Sequence, residues 1–196
     1  GVQTCALPIY IMNCLPAVLS TYFWRNISIE DIKLALQTFV PSPAQTPGRL
    51  NMFQFKQFKF LVDFAHNPAG LELLCDFVGK MDGEPKVGII SGTGDRRDDD
   101  IKELGRISGR SFDEIIIRQD KNLRGRTAEE IVNLLVEGIN ETKTKDIPTT
   151  IIYNEKEAIM HAYNTAKPGS LITIMCDVVA EALDLIKELK EKEDMA

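Results

Sequence analysis

Three short runs of branched apolar residues most constrain the fold of this chain. Residues 87–90, 115–117 and 171–174 read Val-Gly-Ile-Ile, Ile-Ile-Ile and Leu-Ile-Thr-Ile, without regular alternation of polar and apolar positions. This pattern is typical of parallel strands that are covered on both faces. Apolar residues at helical spacing lie between the runs, which indicates repeated strand–helix units. The sequence therefore predicts an α/β fold with a parallel sheet and helices on both sides.

The remaining elements follow from the same patterns. A capping serine, Ser28, separates two predicted helices over residues 11–25 and 29–39. Three prolines and a glycine between residues 41 and 48 indicate a linker, and so a domain boundary near Gly48. Beyond it, strands are expected at 50–55, 58–64, 86–91, 113–118, 149–153 and 170–176, and helices at 68–80, 98–109, 127–140, 155–166 and 178–190.

Composition excludes several classes of protein. The formal net charge of -6 argues against a nucleic-acid-binding surface, which is normally basic. No stretch reaches the roughly 18 uninterrupted apolar residues of a membrane span. The four cysteines are scattered without a C-x-x-C pair, so a structural zinc site is not expected and a reduced, cytoplasmic setting fits best. Residues 1–9 fit none of these patterns and resemble translated adapter sequence, so we expect a fragment.

An acid, an imidazole and an amide lie where one predicted strand ends and a helix begins. They are Asp63, His66 and Asn67, and Arg49 lies shortly upstream. Ligands of open α/β sheets gather at the carboxyl ends of strands. A cation suits phosphate and a carboxylate suits ribose hydroxyls, so these residues predict a nucleotide site. The alternative for His66 is a core histidine or a strand-end cap.

Two charged loops follow the next strands. The first charged loop, residues 91–98, begins like the dinucleotide motif G-x-G-x-x-G, but Arg97 replaces the third glycine, which argues against a conventional NAD site. The second charged loop, residues 118–126, carries Arg124 and Arg126, which could clamp a carboxylate. The alternatives are a glycine turn and a solvated basic loop. Asp177, after the last strand, is a candidate by position.

Three motifs together resemble the Mur ligase family of ATP-dependent, amide-bond-forming enzymes. They are V-D-F-A-H-N-P-A-G at 62–70, G-D-R-R-D at 94–98 and R-G-R at 124–126. The resemblance covers about residues 10–190. It implies that residues 49–196 form a Rossmann-like C-terminal domain, preceded by a helical remnant of the central ATPase domain in residues 1–48. No Walker-type G-x-x-x-x-G-K-[ST] motif is present, so the phosphate-binding loop is expected upstream and the fragment alone is expected to be inactive.

The resemblance also implies a reaction. A carboxylate is phosphorylated with ATP and Mg²⁺, and an amine displaces phosphate from the acyl phosphate. The charged loops are most similar to members that join L-arginine to the β-carboxyl of aspartate in an aspartate polymer. The expected partners are these substrates, the remainder of the same polypeptide and further copies in a homo-oligomer. The alternatives are a Mur-type ligase for a peptidoglycan precursor and a non-catalytic nucleotide-binding module.

Residue roles follow by analogy with the family. Arg49 would lie near the γ-phosphate and Asp63 would hold the ribose, while His66 and Asn67 would line the same site; Arg49 and His66 are the catalytic candidates. The carboxylate of the incoming arginine could pair with Arg124, and its guanidinium needs an acidic acceptor. The substrate-binding candidates are Asp95, Arg97, Asp98, Asp120, Arg124, Arg126 and Asp177, with Asp95, Asp98 or Asp177 as the guanidinium acceptor. No residue is assigned to a metal.

Overall fold

The computed structural model describes residues 8–38, 42–142 and 145–195. The chain divides into two compact units, Gly1–Pro41 and Ser42–Ala196. The first unit contains helices α1 (Pro8–Arg25) and α2 (Ile29–Thr38). Ser28 caps α2 as predicted, because its Oγ accepts a hydrogen bond from the backbone N–H of Asp31 at 3.1 Å. Residues 1–7 of the suspected adapter-derived segment, which was residues 1–9, lie outside the described residues. The assignment of residues 1–48 to an ATPase domain stays a prediction.

A six-stranded sheet with the order β1-β2-β6-β3-β4-β5 forms the centre of the second unit. Strand β1 (Asn51–Gln54) pairs antiparallel with β2 (Lys59–Asp63), and the other pairings are parallel. The remaining strands are β3 (Lys86–Ile90), β4 (Glu114–Ile117), β5 (Thr149–Ile151) and β6 (Leu171–Met175). The flanking helices are α3 (Pro68–Gly79), α4 (Asp98–Ser111), α5 (Ala128–Thr142), α6 (Glu155–Thr165) and α7 (Val179–Met195). The predicted α/β fold with a mostly parallel sheet is confirmed.

The apolar runs supply side chains to both faces of the sheet. On β4, Ile115 and Ile117 belong to one hydrophobic core and Ile116 belongs to the other. The first core includes residues of α3, α4 and α5, and the second includes residues of α6 and α7. Because successive side chains of a strand point to opposite faces, a strand buried on both faces has no polar alternation.

Glycines allow helices α4 and α5 to pack at unusually short range. A Cβ atom on Gly138 of α5 would lie 2.0 Å from the carbonyl oxygen of Lys102. A Cβ atom on Gly105 of α4 would lie 2.2 Å from the carbonyl oxygen of Leu135. Any side chain at either position would therefore push the two helices apart. These helices begin directly after the two charged loops, so their contact positions those loops.

The end of the predicted linker is held by hydrogen bonds to the Asn51 side chain in the second unit. The Asn51 side chain accepts a hydrogen bond from the Gly48 backbone at 2.7 Å and donates one to the Thr46 carbonyl at 2.9 Å. Residues 42–48 accordingly belong to the second compact unit. Among the described helices, none combines the length and the apolar character needed to span a membrane.

Candidate functional site

Four of the candidate residues converge at the carboxyl edge of the sheet, where two cavities adjoin. The small cavity has a volume of about 130 Å³ and the larger one a volume of about 680 Å³. Asp120 and Asp177 line both cavities. Two further predicted site residues, His66 and Arg124, also line the small cavity. The structure thus brings together four side chains that follow three different strands.

Hydrogen-bond donors dominate the wall of the small cavity. Besides the four residues above, it is lined by Phe64, Ala65, Ser91, Thr93, Arg96, Arg118 and Cys176. Thr93 is 8% exposed, and its hydroxyl has no hydrogen-bond partner among the described residues. The Nε of Arg96 is also buried without such a partner. Buried donors without acceptors suit an anionic group such as a carboxylate.

Arg118 is the buried counter-ion beneath this cavity, and it is only 1% exposed. Its Nη1 donates to Asp120 Oδ1 at 2.7 Å, and its Nε lies 3.1 Å from Glu155 Oε2. The guanidinium also donates to the carbonyl of Met175. Asp120 accepts a second hydrogen bond, from Ser91 Oγ at 3.0 Å. One arginine therefore contacts two carboxylates and ties the end of β4 to the end of β6.

Glu155 connects this network to the loop after β6. Its Oε2 accepts a hydrogen bond from the backbone N–H of Asp177 at 2.7 Å. The Asp177 carboxylate in turn accepts from the backbone N–H of Lys121 at 2.8 Å. Burial raises the pKa of Glu155 above its ordinary value of 4.5, although the charge of Arg118 opposes the shift. Asp177 is therefore held in place by backbone contacts on both sides.

The two charged loops are joined by their own ion pairs. Arg124 pairs with Asp95, and this hydrogen bond lowers the pKa of the Asp95 carboxyl. Arg126 Nη2 lies 2.6 Å from Asp98 Oδ1, and Arg126 Nε donates to the Gly94 carbonyl at 3.0 Å. The carboxylates of Asp95 and Asp98 are thus occupied by arginines of the chain itself.

Close packing between the two charged loops explains the glycine at position 94. A Cβ atom on Gly94 would lie 1.9 Å from the carbonyl oxygen of Leu123 in the second charged loop. The motif that resembles a dinucleotide fingerprint therefore allows one loop to contact the other. Arg97 lies apart from both cavities: its side chain is 84% exposed and pairs with Asp100 at 3.0 Å.

The nucleotide candidates cluster at the end of β2. The Arg49 guanidinium lies 5.6 Å from the centre of the Phe64 ring, a cation–π distance. The His66 ring lies 4.9 Å from the same ring, and His66 Nδ1 lies 3.0 Å from the Phe64 carbonyl oxygen. Among the described residues, Arg49 makes no ion pair within 4.0 Å. Its charge is available to a ligand.

Asp63 and Asn67 also lie at the end of β2, where their side chains accept hydrogen bonds from the backbone. Asp63 is 5% exposed, and its Oδ2 accepts a hydrogen bond from the Leu50 backbone at 2.9 Å. Burial raises the pKa of Asp63, while the Leu50 hydrogen bond and the Arg49 charge lower it. Asn67 caps α3, because its Oδ1 accepts from the Gly70 backbone at 2.8 Å.

The larger cavity, in contrast, is acidic. It lies beside α6 and α7, and its polar wall includes Asp120, Lys121, Glu155, Lys156, Asp177, Glu181, Asp184 and Glu188. Carboxylates outnumber ammonium groups in this set, so the wall favours a cation. Within residues 8–38, 42–142 and 145–195, no three His, Cys, Asp or Glu side chains are grouped so that they could hold a metal ion.

Several residues of the site were missed by the sequence predictions. Arg118 follows three buried isoleucines, and a lone charge at the end of an apolar strand is a signal that could have identified it. Glu155 had no such signal, because an acid in the first turn of a helix is ordinary. Thr93 and Arg96 lie within a loop that was singled out for its glycines and other charges.

Comparisons with known proteins agree with this architecture. The sequence profile described as "Mur ligase, glutamate ligase domain" matches residues 48–177. The cyanophycin synthetase of Crocosphaera subtropica is 39% identical over 91% of this chain and 20% of that protein's length. The cyanophycin synthetase of a Synechocystis species is 37% identical over 93% of this chain and 21% of that protein. The chain thus spans about a fifth of the length of these relatives.

More distant similarity extends to other ligases. The UDP-N-acetylmuramoyl-L-alanyl-D-glutamate–2,6-diaminopimelate ligase of Aquifex aeolicus is 27% identical over 82% of this chain and 31% of that protein. The folylpolyglutamate synthase of Mycobacterium tuberculosis, solved with ADP and AMPPCP, shares the fold with a TM-score of 0.65 at 19% identity. That match covers 91% of this chain and 40% of the other. The chain therefore belongs to the Mur ligase family and contains its glutamate ligase domain.

Proposed function

We propose that this chain is the C-terminal part of an ATP-dependent ligase of the cyanophycin synthetase type. The enzyme joins L-arginine to the β-carboxyl groups of an aspartate polymer. The carboxylate is first phosphorylated at the expense of ATP, which leaves ADP. The amine nitrogen of arginine then forms a bond to the acyl carbon, phosphate departs with the electron pair of the C–O bond, and the nitrogen loses a proton. Identities of 37% and 39% to two cyanophycin synthetases support this proposal.

The observation that carries the proposal is the pair of adjoining cavities with opposite electrostatic character. Arginine has an anionic carboxylate at one end and a cationic guanidinium at the other. The small cavity offers Thr93 and Arg96 to the carboxylate, while Arg124, which also lines it, pairs with Asp95. Asp177, on the boundary with the acidic cavity, receives the guanidinium. Asp177 is preferred over the other acidic candidates because Asp95 already pairs with Arg124.

The nucleotide is assigned to the end of β2. The exposed Arg49 guanidinium, stacked on Phe64, suits a phosphate oxygen, and Asp63 suits the ribose. His66 and Asn67 belong to the same assignment, with Arg49 and His66 as the catalytic residues. ATP supplies the phosphoryl group that activates the carboxylate. Mg²⁺ is assigned to no residue, since this ion is usually held by one or two carboxylates together with the phosphates of the nucleotide.

Arginine-dependent release of ADP by the full-length protein, with an aspartate polymer as primer, tests the proposal. In that assay, Asp177→Asn is expected to raise the KM for arginine about tenfold, because a hydrogen bond to a charged group contributes roughly 1.5–3 kcal/mol. Asp76→Asn is the matched control, since Asp76 is exposed on α3 and lines neither cavity. ADP release with another amine but none with arginine would overturn the substrate assignment.

A second candidate is a ligase for a different amino acid with both an anionic and a cationic end. The similarity to the diaminopimelate ligase of Aquifex aeolicus favours this alternative. ADP release that requires diaminopimelate and a UDP-linked peptide acceptor would select it. A non-catalytic module would release no ADP with any of these substrates. The homo-oligomeric assembly stays a prediction.

A further inference from the structure

The larger cavity exceeds what the proposed ligation requires. We call it the acidic groove; it is formed by residues 119–121, 153–156 and 159 on one side and by 177, 178, 181, 182, 184, 185 and 188 on the other. Its volume of about 680 Å³ falls in the usual range for ligand sites, roughly 300–1,000 Å³. A single guanidinium at Asp177 would leave most of this volume, and the carboxylates of Asp184 and Glu188, unused.

Three carboxylates of the groove form a row along α7. Glu181, Asp184 and Glu188 are separated by three and four residues, so they share one face of the helix. They therefore follow one another at intervals of about one helical turn, roughly 5.4 Å. A row of this kind matches a ligand with several cations at regular spacing better than a ligand with one.

The outer part of the row has weaker compensation than the inner part. Lys121 pairs with Glu181 at 2.6 Å, so that carboxylate is compensated. Asp184 is 72% exposed on its side chain, and among the described residues its only ion pair is with Lys187 at 3.7 Å. Glu188 forms no ion pair in the described part of the chain. The uncompensated charge is thus concentrated at the end of the groove away from the small cavity.

Gln119 gives a second and independent indication of a ligand. Its side chain lines the groove and is only 8% exposed as a residue. Its Nε2 donates to the Ala128 carbonyl at 3.1 Å, but its Oε1 has no hydrogen-bond partner among the described residues. A buried acceptor without a donor is unfavourable. A guanidinium, with five N–H donors, could supply the missing hydrogen bond.

We propose that the acidic groove binds arginine side chains already attached to the growing polymer. The inference rests on the proposed function, because each completed cycle leaves one more guanidinium on the aspartate backbone. With the incoming arginine at Asp177, the attached arginines face Asp184 and Glu188 in turn. The polymer is thereby retained beside the site between successive additions, and its binding weakens as salt increases.

Titration of the 196-residue chain with a short aspartate oligomer carrying arginine on its β-carboxyls tests this inference. An oligomer of equal length carrying neutral citrulline controls for everything except charge. The double variant Asp184→Asn/Glu188→Gln is expected to lose about fivefold or more in affinity for the arginine oligomer, since two exposed ion pairs are removed. Asp76→Asn/Glu191→Gln removes the same charge outside the groove and is expected to bind like the unchanged chain. Equal binding by both double variants would overturn the inference, as would equal binding of the two oligomers.

Kinetics of the full-length protein separate this inference from the proposed function. The groove variant is expected to raise the KM for an arginine-bearing primer and to leave the KM for free arginine unchanged. A rise in the KM for free arginine alone would make the groove a subsite for the incoming amino acid, which overturns the inference. If arginine supports no ADP release at all, the proposed function fails, and the oligomer titration still decides whether the groove binds guanidinium groups.

Discussion

Arg118 donates to Asp120 across 2.7 Å with both residues buried, at the point where the isoleucines of β4 end. The same guanidinium lies 3.1 Å from Glu155. Removing one partner of a buried ion pair leaves a charge that neither water nor a counter-ion stabilises. Arg118 is therefore the residue on which the stability of the whole carboxyl edge depends.

The first prediction is that Arg118→Met strongly destabilises the chain. Methionine keeps much of the side-chain volume but leaves the buried carboxylates of Asp120 and Glu155 without a counter-ion. The expected loss is about 3–5 kcal/mol in the free energy of unfolding, measured by urea titration. Arg97→Met is the control, because Arg97 is 84% exposed on its side chain, and a change within about 0.5 kcal/mol is expected. Similar effects of both variants would contradict the prediction.

Gly138→Ala is expected to destabilise the contact between α4 and α5. The new methyl group would lie 2.0 Å from the Lys102 carbonyl oxygen, so the helices must separate. Overpacking of this kind costs about 1–3 kcal/mol in the free energy of unfolding. Gly79→Ala, in α3, meets no atom within 4 Å and is expected to stabilise the chain by about 0.4–1 kcal/mol. A urea midpoint for Gly138→Ala at or above that of the unchanged chain would show that the helices tolerate the methyl group.

The stability contribution of Glu155 is predicted to increase as the pH falls. Burial raises its pKa in the folded protein above 4.5, so the folded chain binds this proton more tightly than the unfolded chain does. The contribution is fully present below about pH 4.5 and is lost as the pH rises through the folded-state pKa. Relative to Glu155→Gln, the unchanged chain should therefore gain stability as the pH is lowered from about 7, in urea titrations at each pH.

Asp95 provides the opposite case for the same measurement. The hydrogen bond from Arg124 lowers the pKa of Asp95 below 3.8, so its contribution is present above that pH and is lost as the pH falls through the lowered pKa. The difference between the unchanged chain and Asp95→Asn should shrink in acid. If the stability differences for Glu155→Gln and Asp95→Asn changed in the same direction with pH, burial and the Arg124 hydrogen bond would not be the causes of the two pKa shifts.

Thr93→Val is predicted to weaken arginine binding without weakening the fold. Valine has a similar shape and removes a buried hydroxyl without a partner among the described residues. The free energy of unfolding should stay the same or rise by up to about 1 kcal/mol, while the KM for arginine in the full-length protein rises about fivefold. Thr173→Val is the control, because the Thr173 hydroxyl is also buried without such a partner but lines neither cavity. An equal change in KM for both variants would remove Thr93 from the site.

The sequence was sufficient for the fold of the second unit because its strands are unusually uniform. Residues 115–117 had to be covered on both faces, and the structure places Ile115 and Ile116 in opposite cores. The ends of the strands were less predictable. Arg118 was expected within a strand but lies just beyond β4, although its backbone N–H still donates to the Ile90 carbonyl of β3 at 2.9 Å.

The positions of the candidate residues in the fold were predictable, and their pairings were not. Asp120, Arg124 and Asp177 were expected at the carboxyl ends of strands, and they line the small cavity. The acceptor roles suggested for Asp95 and Asp98 assumed unpaired carboxylates. Arg124 and Asp95 are 29 residues apart, and their pairing depends on how closely α4 and α5 approach. The distance between α4 and α5 is set by the tertiary packing at Gly105 and Gly138.

The close packing of α4 against α5 has a mechanical consequence for the site. Each helix begins at one of the charged loops, and the two helices touch backbone to backbone at Gly105 and Gly138. Displacing either loop by itself would break the Arg126–Asp98 ion pair and the close approach of Gly94 to the Leu123 carbonyl. The two charged loops therefore form one wall of the small cavity as a coupled unit, and the ends of β2 and β6 supply the rest of its lining.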